Sequence, residues 1–332
     1  MDPYFVLISE IMLQQTQVAT VIPYFHRFTR RFQTIQDLAA ADEQEVLRYW
    51  QGLGYYSRAR NLHRCAKKVV ADFDGKLPGS VEQLLELPGI GRYTAGALAS
   101  IAFEIPAPIL DGNVKRVICR LDQIEDDLAD KKIQDQLWRR AAEILPKKKL
   151  GDFNSALMEL GALICTPRAP GCDHCPVQNC CQARSAGVQL LIPASKKAAK
   201  TPAVFRTVLC IEDCGKYLIE QRPAKGRWAG MWQFVTLEMH SSKKLPETAI
   251  ATRAQHQIGV KIKLLKPAGE LRHALTHRRY TFYVYTCQRK TNPKKPSAAD
   301  HLKWVTLAEL DRYPLPRPHC RIGQLLGLKV AE

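Results

Sequence analysis

The sequence predicts a multidomain protein, an all-α unit followed by an α+β unit. Three observations predict it. Up to about residue 185 apolar residues recur at three- and four-residue spacing; beyond residue 202 short β-branched and aromatic runs replace them. The charge changes at the same place. Residues 1–185 carry 23 basic and 22 acidic side chains, whereas residues 186–332 carry 26 and 10. Between them VQLLIPASKKAAKTP, rich in Ala, Lys and Pro, lacks a sustained period, and residues 186–201 read as an interdomain linker. The expected units are 1–185 and 202–332.

At 332 residues and 46% hydrophobic the chain is long enough for two cores, which excludes a small disulfide-stapled scaffold. It has no run of about 18 consecutive apolar residues, which disfavours a membrane partner. The opening MDPYFVLISEIMLQQ is acidic and polar-interrupted, unlike a secretory signal. A net charge of +17 points to a polyanionic partner, nucleic acid before others, with a merely solvated basic surface as the alternative.

Along the first half, EQEVLRYWQGLG and RARNLHRCAKKVVADF show helical spacing, with Gly and Pro breakers between such segments. LPGIGRYTAGALASIA at 87–102 reads as a helix ending at Leu87, a tight turn through Gly89 and Gly91, and a new helix from Arg92. Such a helix–hairpin–helix lets backbone approach a partner, and its turn amides with the second helix's N-terminus form a phosphate site. Ordinary helix hairpins carry the same pattern. Asp111, in ILDGNVKRV, stands where a helix starts and reads first as an N-cap. Glu10 reads either as a functional carboxylate or as a solvent-facing one; the mixed neighbours Ile8, Ile11, Met12 and Leu13 do not decide.

Five of eleven cysteines crowd into CTPRAPGCDHCPVQNCC, and Cys165, Cys172, Cys175 and Cys181 fit C-x6-C-x2-C-x5-C. That spacing wraps one compact metal centre, a zinc ion or an iron–sulfur cluster. Disulfides are disfavoured because the other six cysteines show no pairing logic. Cys180 could substitute for Cys181.

In the second half AVFRTVLCI, KYLIEQR and RRYTFYVYTC read as strands, and PETAIATRAQHQIGV as one helix.

The hairpin, the following Asp and the cysteine loop together resemble the helix–hairpin–helix DNA glycosylase superfamily with a [4Fe–4S] cluster. SEIMLQQTQVATVIPYF at 9–25, GLGYYSRARNLH at 52–63 and LDGNVKRV at 110–117 resemble its adenine DNA glycosylase (MutY-type) family in particular. The resemblance implies a [4Fe–4S] cofactor, and a duplex DNA partner in which adenine is mispaired with 8-oxoguanine or guanine. It implies Glu10 as the general acid that protonates adenine N7 and Asp111 as the anion that stabilises the oxocarbenium-like sugar. Asn113 matches a residue that orients these carboxylates. Tyr93 stands where bifunctional relatives carry a Schiff-base lysine, which implies a monofunctional enzyme. Gln14, Gln15 and Thr16 match the segment that enters the duplex, Tyr55 its intercalating aromatic, and Leu87, Gly89 and Gly91 the DNA-contacting hairpin. Ser155 stands in the adenine pocket where a Gln or Glu is usual.

From residue 202 the chain resembles, more weakly, the Nudix-like domain of the same family, which reads 8-oxoguanine. Arg253, His256 and Gln257 occupy places where a Nudix hydrolase carries metal-binding glutamates, so no pyrophosphatase is expected. The loop HALTH matches the lesion-contacting motif as Leu275, Thr276 and His277. Relatives carry a further helix before the segment matching Asp2-Pro3-Tyr4, so a shortened N-terminus with exposed apolar surface is expected. The expected enzyme is a monomer, nucleoid-associated in a bacterium or nuclear in a eukaryote. The alternatives are an endonuclease III-like glycosylase/lyase, a catalytically silent iron–sulfur DNA-binding protein, and a Nudix hydrolase.

Overall fold

The structure is a computed structural model describing residues 1–194, 201–290 and 300–327. By internal contacts the chain divides into two units, Met1–Ala41 with Ser57–Ala198 and Asp42–Tyr56 with Ala199–Glu332.

In chain order the helices are α1 (Pro3–Leu13), α2 (Val18–Arg31), α3 (Ile35–Ala40), α4 (Glu43–Tyr49), α5 (Ser57–Asp72), α6 (Val81–Leu85), α7 (Arg92–Phe103), α8 (Gly112–Leu121), α9 (Lys131–Glu143), α10 (Leu150–Glu159) and α11 (Gln182–Ser185). All but α4 lie in the first unit. Their starts are chemically marked. Asp2 accepts from the Tyr4 amide ahead of Pro3, Thr34 and Asp37 form a capping box, and Ser80, Asp111 and Asp130 cap α6, α8 and α9. The run Val6, Leu7, Ile8, Ile11, Met12 is buried, so α1 is a core helix rather than a surface one.

The centre of the first unit is α7, whose sequence is dominated by small residues. Ala95, Gly96, Ala97, Ala99 and Ser100 are buried, and α1 and α10 both pack on this helix. The segment leading to Asp111 crosses it at Gly96, where a Cβ would sit 2.4 Å from the Pro108 carbonyl oxygen. Buried Asn154 of α10 fixes the same crossing, donating to Ser100 Oγ at 2.8 Å and to the Ala107 carbonyl at 3.0 Å. A one-turn π-helix, Leu160–Ile164, continues α10 toward the cysteine loop.

The second unit holds strands β1 (Ala203–Asp213), β2 (Lys216–Gln221), β3 (Trp232–Met239), β4 (Ile262–Leu275), β5 (Arg278–Arg289) and β6 (Leu302–Val305), with helices α12 (Glu247–Ile258) and α13 (Arg317–Leu325). The sheet order is β4-β5-β1-β3-β2-β6, with β1 and β5 parallel and the other pairs antiparallel. Successive residues of β1 face opposite sides. Val208 and Cys210 join a core with Ile322 of α13; Leu209 and Ile211 join one with Ile250, Ala254 and Ile258 of α12. Burial on both faces explains the unbroken apolar run VLCI. The expected helix is α12, closed by Gly259 in the left-handed region at φ +69°.

Three readings need adjustment. Val188 and Ile192 pack in the first unit's core and Arg120 Nε donates to the Ile192 carbonyl at 2.9 Å, so the first part of the expected linker is packed structure. Its residues 195–200 lie outside the described ones. Residues 42–56, read as part of the first domain, group with the second unit. Gln44 accepts from Trp232 Nε1 at 3.1 Å and donates to the Gly230 carbonyl at 3.1 Å; Gln51 Oε1 accepts from the Leu315 amide at 2.8 Å. Finally, HALTH is strand through Leu275, and only Thr276 and His277 turn.

Gly96→Ala is expected to cost about 1–3 kcal/mol, because a methyl group there meets backbone rather than a movable side chain. Urea denaturation measures this; a variant as stable as the parent would show that α7 has slack at Pro108.

Candidate active site and nucleic-acid interface

Glu10 projects from α1 into the first unit and is only 6% exposed, which rules out the solvent-facing reading. Tyr93, in the first turn of α7, donates its hydroxyl to Glu10 Oε2 at 2.7 Å and lies 3.1 Å from Met158 Sδ of α10. Residues of three helices thus meet around one phenol hydroxyl. Burial pushes the Glu10 pKa above the ordinary carboxylate value; the Tyr93 hydrogen bond pulls it partly back, and the charge of Asp111 pushes it up again. Burial, and then Glu10 itself, raise the Tyr93 phenol as well.

Asp111 is the N-cap of α8, its Oδ1 accepting from the Val114 amide at 2.7 Å. It is therefore a cap and also a charge felt by Glu10. Asn113 follows in the first turn, with Oδ1 accepting from Arg116 Nη2 at 2.9 Å. Gly161 of the π-turn lies against it so closely that a Cβ would come within 2.6 Å of Asn113 Cβ. Arg116 joins these parts, donating to the Gly161 carbonyl at 2.6 Å and the Cys165 carbonyl at 2.7 Å. Ser155 is half-buried on α10, one helical turn before Met158 and so on the same face.

The segment Gln14–Thr16 is the turn that ends α1. Gln15 is exposed, with its backbone left-handed at φ +56°, a conformation that costs a non-glycine residue about 1–2 kcal/mol. Buried Arg58 of α5 holds this turn. Its Nη1 donates to the carbonyls of Ile11, Met12 and Gln14 at 2.8, 2.8 and 2.6 Å, and Nη2 donates to Thr16 Oγ1 at 3.1 Å. A guanidinium thus satisfies carbonyls that a helix C-terminus leaves open, and its charge opposes the helix dipole. Gln14 Nε2 in turn donates to Thr94 Oγ1 at 3.2 Å, beside Tyr93.

In the hairpin, Gly89 has φ +83°, and a Cβ there would lie 2.5 Å from Asn61 Cβ, so glycine is required twice over. At Gly91, the N-cap of α7, a Cβ would meet nothing within 4 Å. That amide end is open to a partner. Leu87 is buried at 2% exposure, and its side chain anchors the hairpin instead of facing outward.

Cys165, Cys172, Cys175 and Cys181 line one cavity with Arg120, while Cys180 is exposed and does not line it. Arg120 closes the wall. Its Nη1 donates to Cys165 Sγ at 3.2 Å and to the Thr166 carbonyl at 2.8 Å, and its own carbonyl accepts from Cys181 Sγ at 3.3 Å. Among the described residues no three His, Cys, Asp or Glu side chains converge on a single point.

Within the second unit, Tyr55 is 42% exposed with φ +48°, and its hydroxyl hydrogen-bonds Thr276 Oγ1 at 2.9 Å. Thr276 and His277 are exposed in the β4–β5 turn, whereas Leu275 packs against the core on the α13 side. On α12, Gln257 Nε2 donates to buried Glu220 at 3.0 Å and Arg253 donates to the Glu238 carbonyl at 2.9 Å; His256 is exposed.

Sequence reading missed Arg58, Arg116, Arg120 and Met158. Arg58 and Arg116 lie within segments that carried the resemblance, GLGYYSRARNLH and LDGNVKRV, yet only their packing shows what they hold. An arginine in an amphipathic helix ordinarily reads as surface.

Comparisons with known proteins agree with this geometry. Residues 8–143 match the HhH-GPD superfamily base excision DNA repair protein model, and residues 206–324 match the NUDIX domain model. The chain is 36% identical to the adenine DNA glycosylase of Rattus norvegicus over 92% of this chain and 68% of that one. It is 40% identical to that of Buchnera aphidicola subsp. Schizaphis graminum over 70% and 67%. A solved non-covalent endonuclease III–DNA complex covers 57% of this chain and 87% of its own, at a TM-score of 0.50 and 25% identity. With a buried carboxyl group, an N-capping aspartate and an open hairpin set in one helical unit, the chain belongs to the adenine DNA glycosylases, the DNA N-glycosylases of base excision repair.

Proposed function

We propose that the enzyme acts as a monomer on duplex DNA, excises adenine opposite 8-oxoguanine or guanine, and leaves an abasic site. The observation that carries this reading is the buried Glu10 carboxyl held by Tyr93 at 2.7 Å, since an acid kept out of water is suited to protonate a leaving base. The adenine is flipped toward α1 and α10, with Gln14–Thr16 entering the duplex and the hairpin amides taking phosphate. Glu10 delivers its proton to adenine N7. The sugar develops positive charge as the glycosidic bond lengthens, and Asp111 stabilises that cation. Water completes hydrolysis. Tyr93, a phenol where an amine would attack the sugar, orients Glu10 and offers no route to an imine. Ser155 borders the base through its hydroxyl, and Thr276 and His277 read the opposite base.

Cys165, Cys172, Cys175 and Cys181 would hold a [4Fe–4S] cluster. The four thiols line one cavity, and a [4Fe–4S] cluster takes one thiolate per iron, a donor set these four cysteines supply. When bound, the cluster would supply a rigid charged centre that cross-links the loop between Cys165 and Cys181. Arg116 and Arg120, one turn apart on α8, grip that loop from the helix that Asp111 caps.

Single-turnover assays on a duplex with adenine opposite 8-oxoguanine test the reading: adenine should be released and borohydride should trap no covalent adduct. A trapped adduct, or strand cleavage of a thymine-glycol duplex, would sink it.

Glu10→Gln should abolish excision while leaving duplex binding nearly intact. Because the folded Glu10 pKa is raised, its acid form persists to higher pH, and the parent's excision rate should fall as pH rises through that value. Tyr93→Phe removes the hydrogen bond that lowers the pKa, so this descending limb should move to higher pH. The stability linked to Glu10 has the same sense: present below the unfolded carboxylate pKa, it is lost as pH rises through the folded one. Glu10→Gln should therefore gain stability over the parent above that window, read by thermal melts at two pH values.

Iron content should survive Cys180→Ser and fall sharply in Cys181→Ser, as measured by absorbance and metal analysis. Equal retention in both would place the fourth ligand elsewhere.

A further inference from the structure

One group of charges in the second unit has no acidic ion-pair partner among the described residues. Arg317 and Arg321 lie one turn apart on α13, both exposed. Neither makes an ion pair among the described residues, although four other arginines of this unit do: Arg48 with Glu45, Arg206 with Glu238, Arg289 with Asp213, and Arg272 with Glu270. Like charges at this spacing on a helix repel each other. Here no carboxylate pairs with either one among the described residues. Both arginines also lower the pKa of half-buried His273 of β4, after the effect of burial, so their charges converge on the strand that leads to Thr276 and His277. Arg321 Nη1 reaches the Arg272 carbonyl at 3.5 Å.

The same face of the sheet carries more of this chemistry. Arg278 pairs with Leu275 across the β4–β5 hairpin and alternates with Tyr280, which places it on the α13 side. Trp228 packs at a tilt against Tyr280, ring centroids 5.2 Å apart, and its ring lies 6.4 Å from that of His273; the Arg227 guanidinium stands 5.8 Å over the Tyr280 ring. Exposed guanidiniums without carboxylates beside a turn that reads a base match an extended polyanion better than an acidic protein patch, because phosphates repeat along the strand.

We propose that Arg317 and Arg321, with Arg278, form a phosphate-contact surface for the DNA strand whose base is read by Thr276 and His277. The strand's identity rests on the function proposed above; the phosphate contact rests on the unpaired arginines.

The test uses the full chain and two duplexes, one undamaged and one with 8-oxoguanine opposite a 2′-fluoro-adenosine that resists excision. Binding is followed as a function of salt. Each phosphate contact contributes about 0.9 to the slope of log affinity against log salt, so Arg317→Gln with Arg321→Gln should reduce the slope by about 1.8 and weaken binding about tenfold at moderate salt. The control, Lys243→Gln with Lys244→Gln, removes two charges near Tyr283, on the α12 side of the sheet. It should leave the slope unchanged, and an equal drop would overturn the surface in favour of bulk charge. An unchanged slope in the arginine variant, with wild-type excision intact, also overturns the surface but leaves the reading of the active site standing. Wild-type enzyme that excises no adenine sinks that reading instead, and the slope on the undamaged duplex still decides the surface.

Discussion

The hydrogen bond from Tyr93 to Glu10 is the constraint on which the catalytic unit is arranged. A carboxyl group taken out of water must be satisfied or neutral, and the protein uses both means at once. Satisfying it requires α7 to start just after Gly91 and the face of α1 that carries Glu10 to be buried. It also requires α10 to bring Met158 up to the phenol. The small residues of α7 follow from this, since a helix approached by two others and crossed by the segment before Asp111 has no space for large side chains. The two carboxyl groups thus differ in environment: Glu10 is enclosed and held by a phenol, whereas Asp111 caps a helix and answers to a backbone amide.

Around that centre, arginines do what the local sequence does not advertise. Arg58 gathers the open carbonyls of α1 and keeps Gln15 in a left-handed turn; Arg116 and Arg120 fasten α8 to the cysteine loop. Each lies in a helix with helical charge spacing and donates mainly to backbone oxygens, not to carboxylates. Such pairs leave no signature in charge patterning. The buried ones also differ from surface ion pairs in being shielded from salt, so the turn Gln14–Thr16 is held by Arg58 through contacts that ionic strength hardly weakens.

Much of the layout was legible in the sequence for identifiable reasons. The hairpin announces itself because Gly89 must adopt positive φ, the caps because Asp, Ser and Thr precede apolar periods, and β1 because both of its faces are buried. The cysteine spacing marks four residues that do line one cavity. What was not legible is three-dimensional. Nothing in the mixed neighbours of Glu10 distinguishes a buried carboxyl from an exposed one until α7 is laid against α1. Leu87 matched a DNA-contacting position, yet its side chain belongs to the core. The boundary near residue 186 followed composition, and composition is blind to Ile192 packing back into the helices.

The grouping of residues 42–56 with the second unit also constrains how the molecule is made. Gln44 emerges from the ribosome 188 residues before Trp232, and Gln51 264 residues before Leu315. At ordinary elongation rates of 5–20 residues per second, the first of these intervals lasts about 10–40 s. For that time a helix threaded between two early-folding segments waits without the partners that satisfy its glutamines. Its short length and mostly polar sequence suit that delay, because a longer apolar segment in the same place would offer nascent chains a surface on which to associate.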